Sequence, residues 1–184
     1  VRTFTATDDC GNTASCVQTI EVVDDVPPLI ECPADAVFEC EEAVVFGMAT
    51  AFDNCDTTPT ITWEDIVTAG QCPQERFITR VWTATDDCGN ASSCEQSVTV
   101  LDTTPPVIEC PDNLSVQCVE DIPAPDPLGL VVSDNCSTVT VEWLGDERDG
   151  QVCPLTIERT YRAVDECGNE AFCVQLIEVN DTIP

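Results

Sequence analysis

The sequence predicts an all-β chain built as tandem, small antiparallel sandwiches stapled by disulfides. Three observations predict it: a self-similarity near eighty residues, fourteen cysteines recurring in register with that period, and Thr/Val/Ile-rich runs that alternate in polarity with no helical periodicity. Several short strands in about 80 residues, each bounded by turn residues, fit two thin sheets packed face to face rather than a mixed fold.

The cysteines set the register. Cys10, Cys88 and Cys167 stand in Asp-Asp-Cys-Gly-Asn, Asp-Asp-Cys-Gly-Asn and Asp-Glu-Cys-Gly-Asn, and Cys16, Cys94 and Cys173 follow each by six. Cys32 matches Cys110 in Ile-Glu-Cys-Pro, Cys40 matches Cys118, Cys55 matches Cys136 in Asp-Asn-Cys, and Cys72 matches Cys153 in Cys-Pro. Paired prolines in Val-Asp-Asp-Val-Pro-Pro (23–28) and Leu-Asp-Thr-Thr-Pro-Pro (101–106) stop one strand and stiffen the passage to the next unit. Residues 1–25 therefore read as the last strands of a truncated repeat, 26–103 as one complete repeat, and 104–184 as a second that ends at the next linker. An export signal and any anchor are expected outside this piece, with partners for Cys10 and Cys16 upstream.

Within a repeat, runs such as 77–85 and 95–101 read as strands. In the last strand Cys94, Gln96, Val98 and Val100 recur as Cys173, Gln175, Ile177 and Val179, and as Cys16, Gln18, Ile20 and Val22 in the fragment. A period of two puts each set on one face, expected to point inward. Phe4, Trp82 and Tyr161 occupy one repeated position, and Trp63 matches Trp143, so each complete repeat is expected to hold a central aromatic pair. Arg2, Arg80 and Arg159 also share a position, expected to be a packed stem whose guanidinium meets a neighbouring carboxylate.

Composition excludes much chemistry. With 35 acidic and 6 basic side chains, net charge −29, the chain repels nucleic acid and anionic lipid. No apolar run approaches the roughly 20 residues that span a bilayer. Neither His nor Lys occurs, so the usual base for a Ser or Cys nucleophile is missing, and the chain reads as no enzyme. Cysteine at this density belongs to an oxidising compartment, which predicts an extracellular or cell-surface location. Zinc is disfavoured, because the Cys spacers are five and seven residues long and no His is present.

These motifs resemble the hyalin repeat, an immunoglobulin-like module, in its cysteine-rich form from long bacterial surface adhesins exported by the type IX system. Thr-Pro-Pro-Val-Ile-Glu-Cys-Pro (104–111), Asp-Asn-Cys (53–55 and 134–136) and Thr-Ala-Thr-Asp-Asp-Cys-Gly-Asn (83–90) carry the likeness. The resemblance implies tandem immunoglobulin-like antiparallel sandwiches and an adhesive or fibre-forming stalk associated with gliding motility; a glycan- or protein-ligand-binding module is the alternative, with 123–127 and 145–150 as its best loops. Its partners would be neighbouring repeats, copies of itself in fibres, and surface or glycan ligands. It also implies a pairing that six cysteines alone leave at fifteen possibilities: Cys32–Cys94, Cys40–Cys72 and Cys55–Cys88 in the first complete repeat, then Cys110–Cys173, Cys118–Cys153 and Cys136–Cys167 in the second.

Recurring acids leave two readings open. A last strand that runs antiparallel to reach the next linker returns the Asp-Cys-Gly-Asn hairpin to the pole of the preceding linker, and a Cys55–Cys88 bridge would bring the Asp-Asn-Cys loop there too. Asp24, Asp25, Asp53, Asp86 and Asp87 would then converge at one junction, and Asp102, Asp134, Asp165 and Glu166 at the next, an all-oxygen set suited to a structural Ca²⁺. The other reading is turn chemistry, since Asp and Asn accept local backbone N–H groups. Asp-Thr followed by an apolar residue or Thr, at 56–58, 102–104 and 181–183, resembles the short O-glycan acceptor motif of the same bacterial group, which implies Thr57, Thr103 and Thr182 as acceptors. Asn90, Asn113, Asn135 and Asn180 head N-x-Ser/Thr sequons that matter only in a eukaryotic host.

Overall fold

The computed structural model of the chain describes residues 1–151 and 154–181. Fourteen strands and two single-turn 3-10 helices, Val119–Asp121 and Pro127–Gly129, account for its regular structure. β1 (Arg2–Thr7) and β2 (Thr13–Gln18) form an exposed hairpin. β3 (Leu29–Glu31), β4 (Ala36–Glu39), β5 (Thr50–Phe52), β6 (Thr60–Ala69), β7 (Arg76–Thr85) and β8 (Ala91–Leu101) follow. β9 (Val107–Ile108), β10 (Leu114–Val116), β11 (Val132–Ser133), β12 (Val139–Arg148), β13 (Leu155–Asp165) and β14 (Glu170–Val179) complete the chain.

Among the described residues, strands pair only within the stretches 1–25, 26–103 and 104–184. β3 pairs with β5 and a four-stranded sheet is ordered β4-β8-β7-β6; β9 pairs with β11 and a second four-stranded sheet is ordered β10-β14-β13-β12. The two-plus-four arrangement therefore recurs, giving two β-sandwich-like domains. One pairing departs from a purely antiparallel plan: β4 lies parallel to β8, with Ala36 beside Val98, and β10 lies parallel to β14, with Leu114 beside Ile177. The last strand is thus parallel, not antiparallel, to the strand that opens its own sheet, β4 or β10. A chain that enters a domain at one pole and leaves at the other must run its first and last strands in the same direction.

By compactness the chain divides into a unit of Val1–Cys32, Ala49–Trp63 and Trp82–Cys94 and a second of Pro33–Met48, Glu64–Val81 and Glu95–Pro184. In the first unit Trp82 and Ala84 are buried, and Trp63 meets Trp82 at 5.6 Å between ring centroids. Trp63 is nevertheless 57% exposed, so the expected central pair of this repeat is one buried ring with a second tilted against it near solvent, and its counterpart Trp143 is 45% exposed. Both tryptophans sit on the outermost strand of their sheet, where one flank is open.

In the second unit Leu155, Ile157, Ile177 and Val179 form the core cluster, with Leu114, Val116 and Ile122 packed on it. Alternation places Gln96, Val98 and Val100 inward on β8, and Cys173, Gln175, Ile177 and Val179 inward on β14. The buried glutamines reach backbone: Gln96 Nε2 donates to Ala34 O at 2.8 Å and Gln175 Nε2 to Asp112 O at 2.7 Å. Each amide ties the chain just after the Cys-Pro motif to the last strand. A bulge between Trp143 and Gly145 re-registers β12 so that Asp146 faces Arg159. Arg159, 3% exposed, holds Asp146 with two hydrogen bonds of 2.9 Å and donates a third to Pro123 O. Arg80 makes the same fork on Asp65, at 2.6 and 2.8 Å, and lies 3.5 Å from the centroid of the Phe46 ring.

Four disulfides are formed among the described residues. Cys32 is bonded to Cys94 and Cys110 to Cys173, each joining the Cys-Pro motif to the last strand. The others depart from expectation. Cys40 is bonded not to Cys72 but to Cys136, and Cys167 is bonded not to Cys136 but to Cys72, with Cα separations of 6.0 and 5.0 Å. Cys55 and Cys88, expected to bond one another, are exposed thiols. Cys153, the expected partner of Cys118, lies outside the described residues.

Strand direction explains the difference. Cys40 follows β4, whose C-terminal end lies beside that of β8, and Cys72 sits in the β6–β7 hairpin at the same pole. That pole meets the outgoing linker, where the Asp-Asn-Cys turn and the Cys167 hairpin of the following stretch also arrive. Two bridges therefore cross the linker at 101–106.

Candidate metal centre

Each linker gathers three carboxylates from the same three repeated places. Asp24 in the first linker, Asp53 in the Asp-Asn-Cys turn and Asp86 in the β7–β8 hairpin bring ligand oxygens within 4.8 Å of one another. Asp102, Asp134 and Asp165 do the same at the second linker. Each trio lies within a single compact unit.

Local backbone chemistry builds these clusters. Asp53 Oδ1 accepts the amides of Cys55 and Asp56 at 2.8 Å, and Asp134 Oδ1 accepts those of Cys136 and Ser137 at 2.9 and 2.7 Å. In the hairpins Asp86 Oδ1 takes the amides of Cys88 and Asn90, and Asp165 Oδ1 those of Cys167 and Asn169. Gly89 and Gly168 turn these hairpins at φ of 91° and 89°, a region that side chains oppose. The hairpins are then tied to the linker, because Asn90 Nδ2 donates to Asp24 O and Asn169 Nδ2 to Asp102 O, both at 3.1 Å.

Turn chemistry thus consumes one oxygen of Asp53 and of Asp134 and leaves the other, whereas Asp86 and Asp165 have both engaged, the second accepting the Asn90 and Asn169 side-chain amides at 2.8 Å. Asp53 Oδ2 and Asp134 Oδ2 are buried without a hydrogen-bond partner. A buried carboxylate oxygen with no donor is costly unless a cation completes it, so at Asp53 and Asp134 the turn and cation readings describe two oxygens of the same side chain. An all-oxygen donor set of this kind suits Ca²⁺.

Electrostatics at the second linker agree. Burial pushes the Asp102 carboxyl above the ordinary range, the Thr104 amide partly counters this, and the carboxylates of Asp134, Asp165 and Glu39 push further upward. At Asp134 burial also acts upward, yet the amides of Cys136 and Ser137 and the Ser137 hydroxyl outweigh it and hold the group below its usual value. Asp53 is held low by the amides of Asp56 and Cys55 against burial.

Not every expected ligand joins. Asp25, Asp87 and Glu166 are exposed and outside both trios, and Glu166 instead accepts the Thr138 amide at 3.3 Å. The Cys55–Cys88 bridge invoked to bring the turn to the linker is absent, and the turn arrives without it. Of the glycan candidates, Thr57 is exposed, Thr103 is exposed with its hydroxyl bonded to Glu39, and Thr182 lies outside the described residues. Sequence reading missed Glu39 and Ser137, which line the second linker. Glu39 precedes Cys40 at the exit pole, a signal visible only once strand direction is known.

No family model matches the chain. Hyalin of Lytechinus variegatus is 29% identical over 208 aligned positions, covering 100% of this chain and 37% of hyalin. The chain carries hyalin-repeat homology along its whole length, at low identity. Sushi, von Willebrand factor type A, EGF and pentraxin domain-containing protein 1 of Mus musculus is 32% identical over 127 residues, covering 65% of the chain and 3% of that protein. The chain thus spans 37% or less of the length of these relatives. Among solved structures, Drosophila N-cadherin EC1-4 gives a TM-score of 0.38 at 14% identity, covering 84% of this chain and 50% of that one. Protocadherin Gamma C5 EC1-3 gives 0.35 at 15% identity, covering 93% and 74%. At such scores the cadherin likeness adds nothing to the cation reading, which stands on the carboxylates themselves. No helix among the described residues is long and apolar enough to cross a membrane.

Proposed function

We propose that the chain is a stretch of a non-catalytic, extracellular stalk, built from the repeats 26–103 and 104–184 and the tail 1–25, that carries adhesive parts of a surface protein away from the cell. Ca²⁺ held by Asp24, Asp53 and Asp86, and by Asp102, Asp134 and Asp165, stiffens its linkers. The observation that carries this reading is the duplication: one three-carboxylate arrangement, with the same orphaned oxygen, is built twice from homologous positions. Hyalin homology and the disulfides support an extracellular repeat protein. The motif resemblance to long bacterial surface adhesins extends the proposal to an adhesin of a gliding bacterium, exported through a type IX route, with neighbouring repeats and self-association into fibres as its contacts.

The test is calcium titration of the purified chain by calorimetry, paired with thermal unfolding in chelator and in millimolar Ca²⁺. Two sites and a raised melting temperature are expected. An unchanged melting temperature in chelator refutes the cation role.

A glycan- or protein-binding module is the second reading. Trp63 and Trp143, half-exposed at the same strand position, offer the aromatic surface such a role requires. A cleft of about 260 Å³ beside Pro123, Asp126, Arg159 and Tyr161 falls on one of the divergent loops. Glycan-array binding abolished by Trp63→Ala and Trp143→Ala together would favour it.

A further inference from the structure

The bridges across the second linker follow a translation rule. Cys40, after β4, bonds forward to Cys136 in the next Asp-Asn-Cys turn, and Cys72, in the β6–β7 hairpin, bonds forward to Cys167 in the next Cys-Gly-Asn hairpin. One repeat earlier, Cys55 stands for Cys136 and Cys88 for Cys167, and their surroundings are already built the same way. The Cys55 amide meets Asp53 Oδ1 at 2.8 Å as the Cys136 amide meets Asp134 Oδ1 at 2.9 Å. The Asn54 side-chain amide lies 3.0 Å from Cys55 Sγ as that of Asn135 lies 2.9 Å from Cys136 Sγ. The Cys88 amide meets Asp86 Oδ1 at 2.9 Å as the Cys167 amide meets Asp165 Oδ1 at 2.8 Å. Both Cys55 and Cys88 are exposed at the linker that a preceding repeat would reach, and Cys118, the counterpart of Cys40, is exposed after β10.

We propose that every linker of the parent array is crossed by two disulfides: Cys55 and Cys88 bond the Cys40- and Cys72-type cysteines of a preceding repeat, and Cys118 bonds forward to the Asp-Asn-Cys turn of a following one. Each repeat then holds one internal bridge, of the Cys32–Cys94 type, and shares two with each neighbour. Cys10, the counterpart of Cys88, obeys the same rule. This rests on the tandem-array reading above. Each bond forms as two thiols release two protons and two electrons to a disulfide-bearing oxidant, through a mixed disulfide, and the oxidant leaves as a dithiol.

The experiment is non-reducing peptide mapping of the full-length protein, blocked with N-ethylmaleimide before extraction and cut with an acid-residue-specific protease, alongside a non-reducing gel of the intact protein. Expected are Cys55 and Cys88 peptides cross-linked to two different peptides of the preceding repeat, with the intact protein running as a single chain. A Cys55–Cys88 cross-link, or covalent oligomers through these cysteines, overturns the inter-repeat bridges while leaving the array reading intact. Maleimide on Cys55 and Cys88 alone has the same effect, whereas maleimide on Cys32 and Cys94 as well removes both, since the chain would then not be an oxidised extracellular protein.

Discussion

Replacing Asp102 with Asn isolates the charge at the second linker. Asparagine keeps the shape and can still accept the Thr104 amide through Oδ1, while its Nδ2 takes the place of the oxygen that accepts the Ser137 hydroxyl. Without a cation, two carboxylates with oxygens within 4.8 Å of one another repel by about 3.5 kcal/mol at that limit and an effective dielectric near 20, so losing Asp102 removes about 7 kcal/mol of gross repulsion from its two pairs. Solvent screening reduces that sharply, and a net gain of about 1–3 kcal/mol in chelator is expected. In Ca²⁺ the order changes. Saturating one site at about a hundred times its dissociation constant stabilises the parent by about 2.7 kcal/mol, and Asp102→Asn forfeits the share owed to the second linker while Asp24, Asp53 and Asp86 retain theirs. The assay is urea unfolding followed by tryptophan fluorescence, for parent and variant, in chelator and in Ca²⁺. A variant no more stable than the parent in chelator, or one with the parent's full calcium increment, refutes the reasoning.

Changing Cys72 and Cys167 together to Ser opens a loop of 95 residues, and the loss expected from chain entropy is about 4 kcal/mol once the neighbouring bridges shorten the effective loop; denaturant unfolding measures it. Asp146→Ala strands the buried Arg159 guanidinium and should cost about 3–5 kcal/mol, whereas Asp65→Ala should cost less, because Arg80 is more exposed than Arg159. The Arg159 fork holds the Asp146 carboxyl below its ordinary value of 3.8. A carboxyl lowered in the folded state stabilises above its unfolded value and loses that contribution as pH falls through the folded one. The stability gap between parent and Asp146→Asn, followed by acid titration of the unfolding midpoint, should therefore be full near neutral pH and close as pH drops below about 3.8.

What could be read from residues alone divides along the line between local and non-local physics. Alternation placed Gln96, Val98 and Val100 on one face because side-chain direction in a strand follows from spacing. Asp53 and Asp134 were legible as turn formers for the same local reason. Trp63 was harder: its match to Trp143 was plain, but whether β6 is central or outermost depends on strand order, which no local pattern encodes. The Cys40–Cys72 pair is what the resemblance leaves within one repeat once it implies Cys32–Cys94 and Cys55–Cys88. That they end their strands at the exit pole follows from the parallel pairing of β4 with β8, a contact between residues some sixty positions apart.

The Cys32–Cys94 and Cys110–Cys173 bridges also govern what happens under load. Tension entering at Cys32 passes directly to Cys94 and leaves the 62-residue span between them slack. From Cys94 to Cys110 only about 16 residues carry the pull, and at 3.3–3.6 Å each they extend to roughly 50–60 Å, where an unbridged repeat of about 78 residues would pay out some 260–280 Å. A ruptured domain thus lengthens the tether by a small step, and its strands stay held near one another, ready to refold when the force falls.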